Sequence, residues 1–501
     1  MRNYILLFIS LLIICAVSAY FLMRSPPRKV LTAEEAAKWM AEHRRPPEPE
    51  YKLVVPQCPK DPTAAWHYRN LVAPYLKNNE RGTRWDQPAV NALNALASSH
   101  DSSYEIDSDQ LRSLLREAWR AGSQDPLIIY NLTRKNEQFD GKDFNDFGAY
   151  DGAVKNMNEG KYPSFWRFYA MLRTAEYHWK NVEDLTRKSV CRDLADKALD
   201  QFETACKDPD TMPRTECEYC CKVWIDFCKE MGDDRKKAYD RIAAVLERSV
   251  KDESLKRSVE GHFYIEFAWD ARGSDVASKV SDEGWKLFGG RITLAKKALE
   301  AAYTADSANV DACRGMITIA MAEGAPRPEM EKWFDRAVKI DPNDSDVYDS
   351  KMIYLLPQWG GSEKELLAFG RECFDAVQSG NVKNWTIAEY LPRCHECLWD
   401  NWRRDLSPGK KVDEYWQGPG VWDDIKLAYE FMLNAHPKSL IAHTKYMRHA
   451  IYCRQWDEYR RQFEACVFNG GIADSVFGTK MASNQMTIYA QDKYEEAHKK
   501  Q

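Results

Sequence analysis

The sequence predicts an all-α protein: an irregular tetratricopeptide-like α-solenoid of helix pairs behind an N-terminal transmembrane anchor. Three observations predict it. Apolar residues recur with helical period through most of the 501 residues, matched helix ends stand 35 residues apart, and one twenty-residue run near the start carries no charge. With 44% hydrophobic and 12% aromatic residues the chain can build a core, which excludes a disordered polymer. Net charge is −5, and it becomes −9 once Arg2, Arg24, Arg28 and Lys29 of the acid-free first 29 residues are set aside. The signs are interspersed. Without a basic stripe or arginine-rich tail, no nucleic-acid partner is expected.

Residues 1–29 are the expected signal anchor. Tyr4 to Met23 is the uncharged run, closed by Arg24, and its length just crosses a bilayer core. Val17 and Ala19 also satisfy the small-residue rule for a cleavable signal peptide, but apolar residues continue to Met23, so an uncleaved anchor is expected. Basic residues flank the run almost evenly. A short N-terminus ahead of a large body places that body outside the cytoplasm. Residues 30–62 read as a short helix, where Thr32 and Glu35 form a capping box, followed by a proline-rich extended tether. Residues 63–378 form a helical repeat-like domain, and residues 379–501 continue the solenoid. The best strand-like run is short, Tyr51 to Val55.

Within the body, Met330, Trp333, Phe334, Ala337 and Val338 fall on one helix face with charges opposite. Leu294 to Tyr303 and Asp193 to Cys206 behave alike. Ala302 and Ala337 occupy equivalent positions 35 residues apart, and Phe334, Ala337 and Pro342 form the Phe-x-x-Ala-x-x-x-x-Pro ending of a tetratricopeptide repeat. Phe202, Ala205 and Pro209 make a shortened version. The alanine lets two helices approach closely, and the proline stops one before the next pair begins.

The stretches Ala268 to Phe288, Glu329 to Asn343 and Tyr354 to Cys373 together resemble an uncharacterised bacterial domain family of helical, repeat-like build. Ala121 to Tyr130 and Tyr162 to Ala170 fit the same pattern, so the resemblance covers roughly residues 115–378. It implies fold continuity and a membrane-attached or secreted bacterial setting. It supplies no catalytic residues.

Chemistry-bearing groups are sparse. Cys217 and Cys220, with Cys394 and Cys397, are weak metal candidates: two Cys-x-x-Cys pairs can build a tetrahedral zinc site, but such pairs normally sit on turns, whereas these lie in helical contexts. Buried thiols or disulfides are the expected state, so no metal is assigned. Were the body exported, Cys206 with Cys217 is the preferred bridge, since these positions lie nearly opposite on neighbouring antiparallel helices. After one cysteine in the anchor, 13 remain in the body, an odd number that leaves at least one unpaired within the chain. The ten histidines are scattered, and His262 reads as a core residue. No serine elbow, metalloprotease helix or phosphate-cradling loop is present, and no catalytic residue or cofactor is assigned.

Two functional readings follow. The first is a membrane-anchored, non-enzymatic scaffold or adaptor, holding a protein or peptide partner on a concave helical surface through Trp269, Arg272 and Trp359. In the second, an exported carbohydrate-active enzyme on an all-helical fold uses Asp270, Asp423 or Asp424 as acid and base beside tryptophan platforms. Trp359 lies in "LPQWGGSEKELLAFG", where Pro357 stops a helix, Gly360 and Gly361 turn the chain, and Ser362 caps the next helix with Glu365.

Overall fold

The computed structural model describes residues 53–501, apart from short stretches at 80–81, 102–105, 107, 138–145, 161, 182–184, 405–411, 470, 479 and 499–501. Leu53–Gln501 is one compact unit. Among the described residues there are twenty α-helices and no strand. In chain order they are α1 (Pro62–Asn78), α2 (Asp86–Ser98), α3 (Ser108–Ala121), α4 (Pro126–Glu137), α5 (Asp146–Glu159), α6 (Ser164–Asn181) and α7 (Leu185–Cys206). There follow α8 (Arg214–Glu230), α9 (Arg235–Ser249), α10 (Glu253–Arg272), α11 (Asp282–Ala305), α12 (Val310–Glu323), α13 (Arg327–Ile340), α14 (Ser345–Tyr354) and α15 (Glu363–Gln378). Last come α16 (Tyr390–Arg404), α17 (Val421–Ala435), α18 (Leu440–Tyr452), α19 (Trp456–Phe468) and α20 (Lys480–His498).

The body opens on a capped helix. Asp61 accepts from the Ala64 amide and Pro62 takes a first-turn position, where its missing N–H is not needed. Val54 is extended coil rather than strand; the Gln87 side chain takes up both its N–H and its carbonyl.

Helices adjacent in sequence pack on one another, and α8 on α10, α10 on α12 and α12 on α14 also stack. The joints between pairs explain this order. Asn309, Asp344 and Ser439 each cap the first helix of a pair directly after the preceding helix ends. Ala302 and Ala337 are fully buried and Ala205 nearly so, as close helix approach requires. Asn309 Nδ2 donates to Ser254 Oγ (2.8 Å), and that hydroxyl donates to the Ala302 carbonyl (2.8 Å), tying three helices at one joint. The core runs on across residue 378: Cys373 and Val377 of α15 belong with Leu391 and Cys394 of α16.

The membrane assignment is corrected. The expected anchor, Tyr4 to Met23, lies outside the described residues, and among those described no helix is long and apolar enough to cross a membrane. A span needs about 20 consecutive apolar residues, and charged residues interrupt every described helix long enough to supply them.

Candidate functional site

Four helices that begin successive pairs, α8, α10, α12 and α14, line one groove of about 500 Å³. Helical spacing puts its lining on one face of each. Glu218, Lys222 and Ile225 descend α8; His262, Glu266 and Trp269 descend α10; Asp311, Arg314 and Thr318 descend α12; Asp346 and Ser350 follow on α14.

The cations of the groove are spent on internal pairs. Arg314 bonds Asp311 and Asp346, both at 2.6 Å. Lys222 pairs with Asp226 (3.0 Å) and Glu266 (3.4 Å). Arg235, only 8% exposed, links Asp226 of α8 to Asp270 of α10, the second at 2.9 Å. Glu218 stands apart. Its Oε1 is buried without a hydrogen-bond partner, and burial, with Asp311 beside it, pushes its carboxyl up to about 8. His262 is half-buried rather than core. Its Nε2 lies 3.1 Å from the Asp311 carbonyl, and burial, with Arg314 nearby, lowers it to about 4. The groove floor thus holds a neutral acid beside a neutral imidazole at neutral pH.

At one end of the groove Trp269 meets the other two contact residues expected from sequence. Trp269 and Trp359 are edge-to-face with centroids 5.6 Å apart. The Arg272 guanidinium lies 5.4 Å from the Trp269 ring, 5.7 Å from Trp359 and 5.6 Å from Trp285, which sequence reading did not single out. Arg272 also donates to the carbonyls of Gly273 (3.1 Å) and Asp275 (3.0 Å), which fixes its head among the rings. Gly273 ends α10 at φ +71° and ψ −176°, a region open in practice only to glycine. Trp359 sits in the short 3-10 turn Pro357–Trp359 between α14 and α15, half-buried. Behind it Gly360 takes φ +99°, a Cβ on Gly361 would lie 2.0 Å from the Leu355 carbonyl oxygen, and Ser362 caps α15. The turn is architectural, and Trp359 is the residue it presents.

The remaining candidates are dispersed. Burial works against Asp270, but Lys229 and Arg235 hold its carboxyl below the ordinary range. Asp424, buried on α17, is likewise kept low by His395 and Arg371. Asp423 is exposed. A general acid needs the opposite shift, so neither Asp270 nor Asp424 suits proton donation to a leaving group. Cys217 and Cys220 are core residues of α8, and Cys394 is buried on α16 with Cys397 half-buried beside it. Burial raises the Cys220, Cys394 and Cys397 thiols, which disfavours the thiolate a metal would need. All 13 described cysteines are free; Cys206 and Cys217 are hydrogen-bonded neighbours, not a bridge. Among the described residues the group placed to hold a metal ion is His67, His100 and Glu216. Sequence reading missed it because the three come from α1, the turn after α2 and α8, and no short motif joins them.

No family model and no curated protein matches the chain. A solved structure to which it is similar is the human IFIT1 dimer with m7Gppp-AAAA, at 14% identity over 88% of this chain and 82% of that one, with a TM-score of 0.27. The expectation that nucleic acid is excluded is corrected on this finding, since a chain similar to this one is held in a complex with m7Gppp-AAAA. Interspersed charge rules out a basic stripe along the sequence; it does not rule out a local basic recess formed by folding. At that TM-score the likeness carries no further argument.

Proposed function

We infer that this chain is a helical-repeat scaffold, an irregular tetratricopeptide-like α-solenoid that binds a protein or peptide segment in the groove of α8, α10, α12 and α14. The observation that supports this reading most is the shared groove: one polar face from each of four stacked helices, ending in the Trp269–Arg272–Trp359 cluster. Stacked repeats present such faces to an extended segment or a helix. The half-buried tryptophans supply apolar contact at little entropic cost. The resemblance to a helical, repeat-like bacterial family belongs to the same proposal.

Selection of a phage-displayed random peptide library on the purified chain tests it. Enriched peptides should lose about tenfold or more in affinity against Trp359→Ala and Trp269→Ala, with far-UV circular dichroism unchanged. Enriched peptides that bind both variants as tightly as the parent would count against the groove. A single-stranded RNA oligomer that binds tightly, loses affinity in both variants and displaces the peptides would replace the peptide reading with a different one.

A further inference from the structure

We propose that His67, His100 and Glu216 form a binding site for a divalent transition-metal ion of the zinc or ferrous class, opening onto a basic recess that takes an anionic ligand. The site borders the α8–α14 groove, sharing Tyr219 with it, but does not depend on it.

Three elements converge on the site. His67 comes from α1, His100 from the turn after α2, and Glu216 from the first turn of α8. Glu216 Oε1 lies 2.9 Å from His67 Nε2 and 3.5 Å from His100 Nδ1, and no two of the three ligand atoms are more than 4.8 Å apart. An ion about 2.0–2.2 Å from each donor requires donors about 3 to 3.5 Å apart, so the two carboxylate distances already fit. His67 is 1% exposed, and its Nδ1 has no hydrogen-bond partner. Burial holds the His67 ring in place, with its Nε2 fixed on Glu216 and its face against His100. His100 is about one third exposed (32%), so it is the ligand able to close on an arriving ion. Its ring now stacks on His67 at 3.4 Å, a pair that would repel if both were charged. Two neutral imidazoles and one carboxylate make a borderline donor set with a net −1 charge, which suits zinc or ferrous ion over calcium or magnesium.

Three protein ligands leave coordination positions open. They face a recess of about 310 Å³ lined by Arg134, Lys135 and Arg173 together with Tyr130, Tyr169 and Tyr219. Arg173 is already bonded to Glu176 (2.6 Å), so an oxyanion such as phosphate would be bound by the ion together with the cations of α4. Without a metal the same three side chains make a His67–Glu216 ion pair with a stacked His100. That is the competing account.

The test uses the purified full-length chain after chelation, titrated with Zn²⁺ by calorimetry and with Co²⁺ by visible spectroscopy. One equivalent is expected, with the ligand-field bands of a four- or five-coordinate Co²⁺ site. His100→Ala, which removes the exposed ligand, and Glu216→Gln, which keeps volume but not charge, should each weaken binding at least about tenfold. Zn²⁺ should raise the melting temperature of the parent and of neither variant, provided both variants fold. Adding inorganic phosphate should then shift the Co²⁺ bands. Absence of stoichiometric binding, or binding that both variants retain, overturns the metal site. Bands indifferent to phosphate overturn the anion recess and leave the metal site standing.

Discussion

Gly261→Ala adds one methyl group where the two helices of one pair press together. On α10, a Cβ at Gly261 would lie 2.5 Å from Leu299 Cγ and 2.6 Å from its Cδ2 on α11. Gly315 approaches the same leucine from α12, where a Cβ would lie 2.7 Å from Cδ1. Leu299 is fully buried between them and has no solvent to swing into. Over-packing of this kind costs about 1–3 kcal/mol. The helical preference of alanine over glycine returns about 0.5–1 kcal/mol. The expected net is a loss of roughly 1–2 kcal/mol. Gly289 and Gly290 on α11 are the internal control, because a Cβ at either meets nothing within 4 Å. There the same change should stabilise by about 0.5–1 kcal/mol. Urea unfolding followed by far-UV circular dichroism reads these variants. Leu299→Ala alone should cost about 2–5 kcal/mol, but in that background Gly261→Ala should no longer destabilise, a coupling of about 1–2 kcal/mol. If Gly261→Ala stabilises the parent as Gly289→Ala does, or keeps its effect without Leu299, the close approach of α10 and α11 is refuted.

Further outcomes follow from the same structure. Glu218 titrates at about 8 when folded and near 4.5 unfolded, so the folded state holds a proton that the unfolded chain has lost, and stability falls as pH rises through that window. His262, lowered to about 4 from 6.5, acts in the opposite sense below 6.5. The Glu218 effect therefore shows between pH 6.5 and 8, where it amounts to about 2 kcal/mol and should vanish in Glu218→Gln, read by urea unfolding at each pH. Native alkylation mapped by mass spectrometry should label exposed Cys58 first among the 13 described cysteines and leave Cys217, Cys220 and Cys221 protected until the chain unfolds. Arg235→Ala, which strips Asp226 and Asp270 of a buried partner, should cost about 2–4 kcal/mol in the same unfolding assay, with partial recovery in Arg235→Lys.

The helical class was legible because periodicity is local: the Met330 to Val338 face, and the capping signal of Ser362 with Glu365, each lie within a few residues of chain. Equivalent alanines at 302 and 337 exposed the pairing for the same reason. The groove was not legible. Glu218, His262, Asp311 and Asp346 each look like an ordinary polar position on an amphipathic helix, and only stacking of α8, α10, α12 and α14 turns four solvated faces into one lining. Trp269, Arg272 and Trp359 could be named individually, but the pairing of the two rings across 90 residues of chain is a product of the fold. His67, His100 and Glu216 were hidden for the same reason: their meeting depends on α8 returning to α1.

Hydrogen exchange on the chain with and without a peptide selected from the phage library tests the groove most directly. Peptide binding should slow exchange in α8, α10, α12 and α14 and in the Pro357–Trp359 turn, and Trp359→Ala should abolish that protection at the same peptide concentration. Protection confined to other helices, or unchanged in Trp359→Ala, would contradict the account.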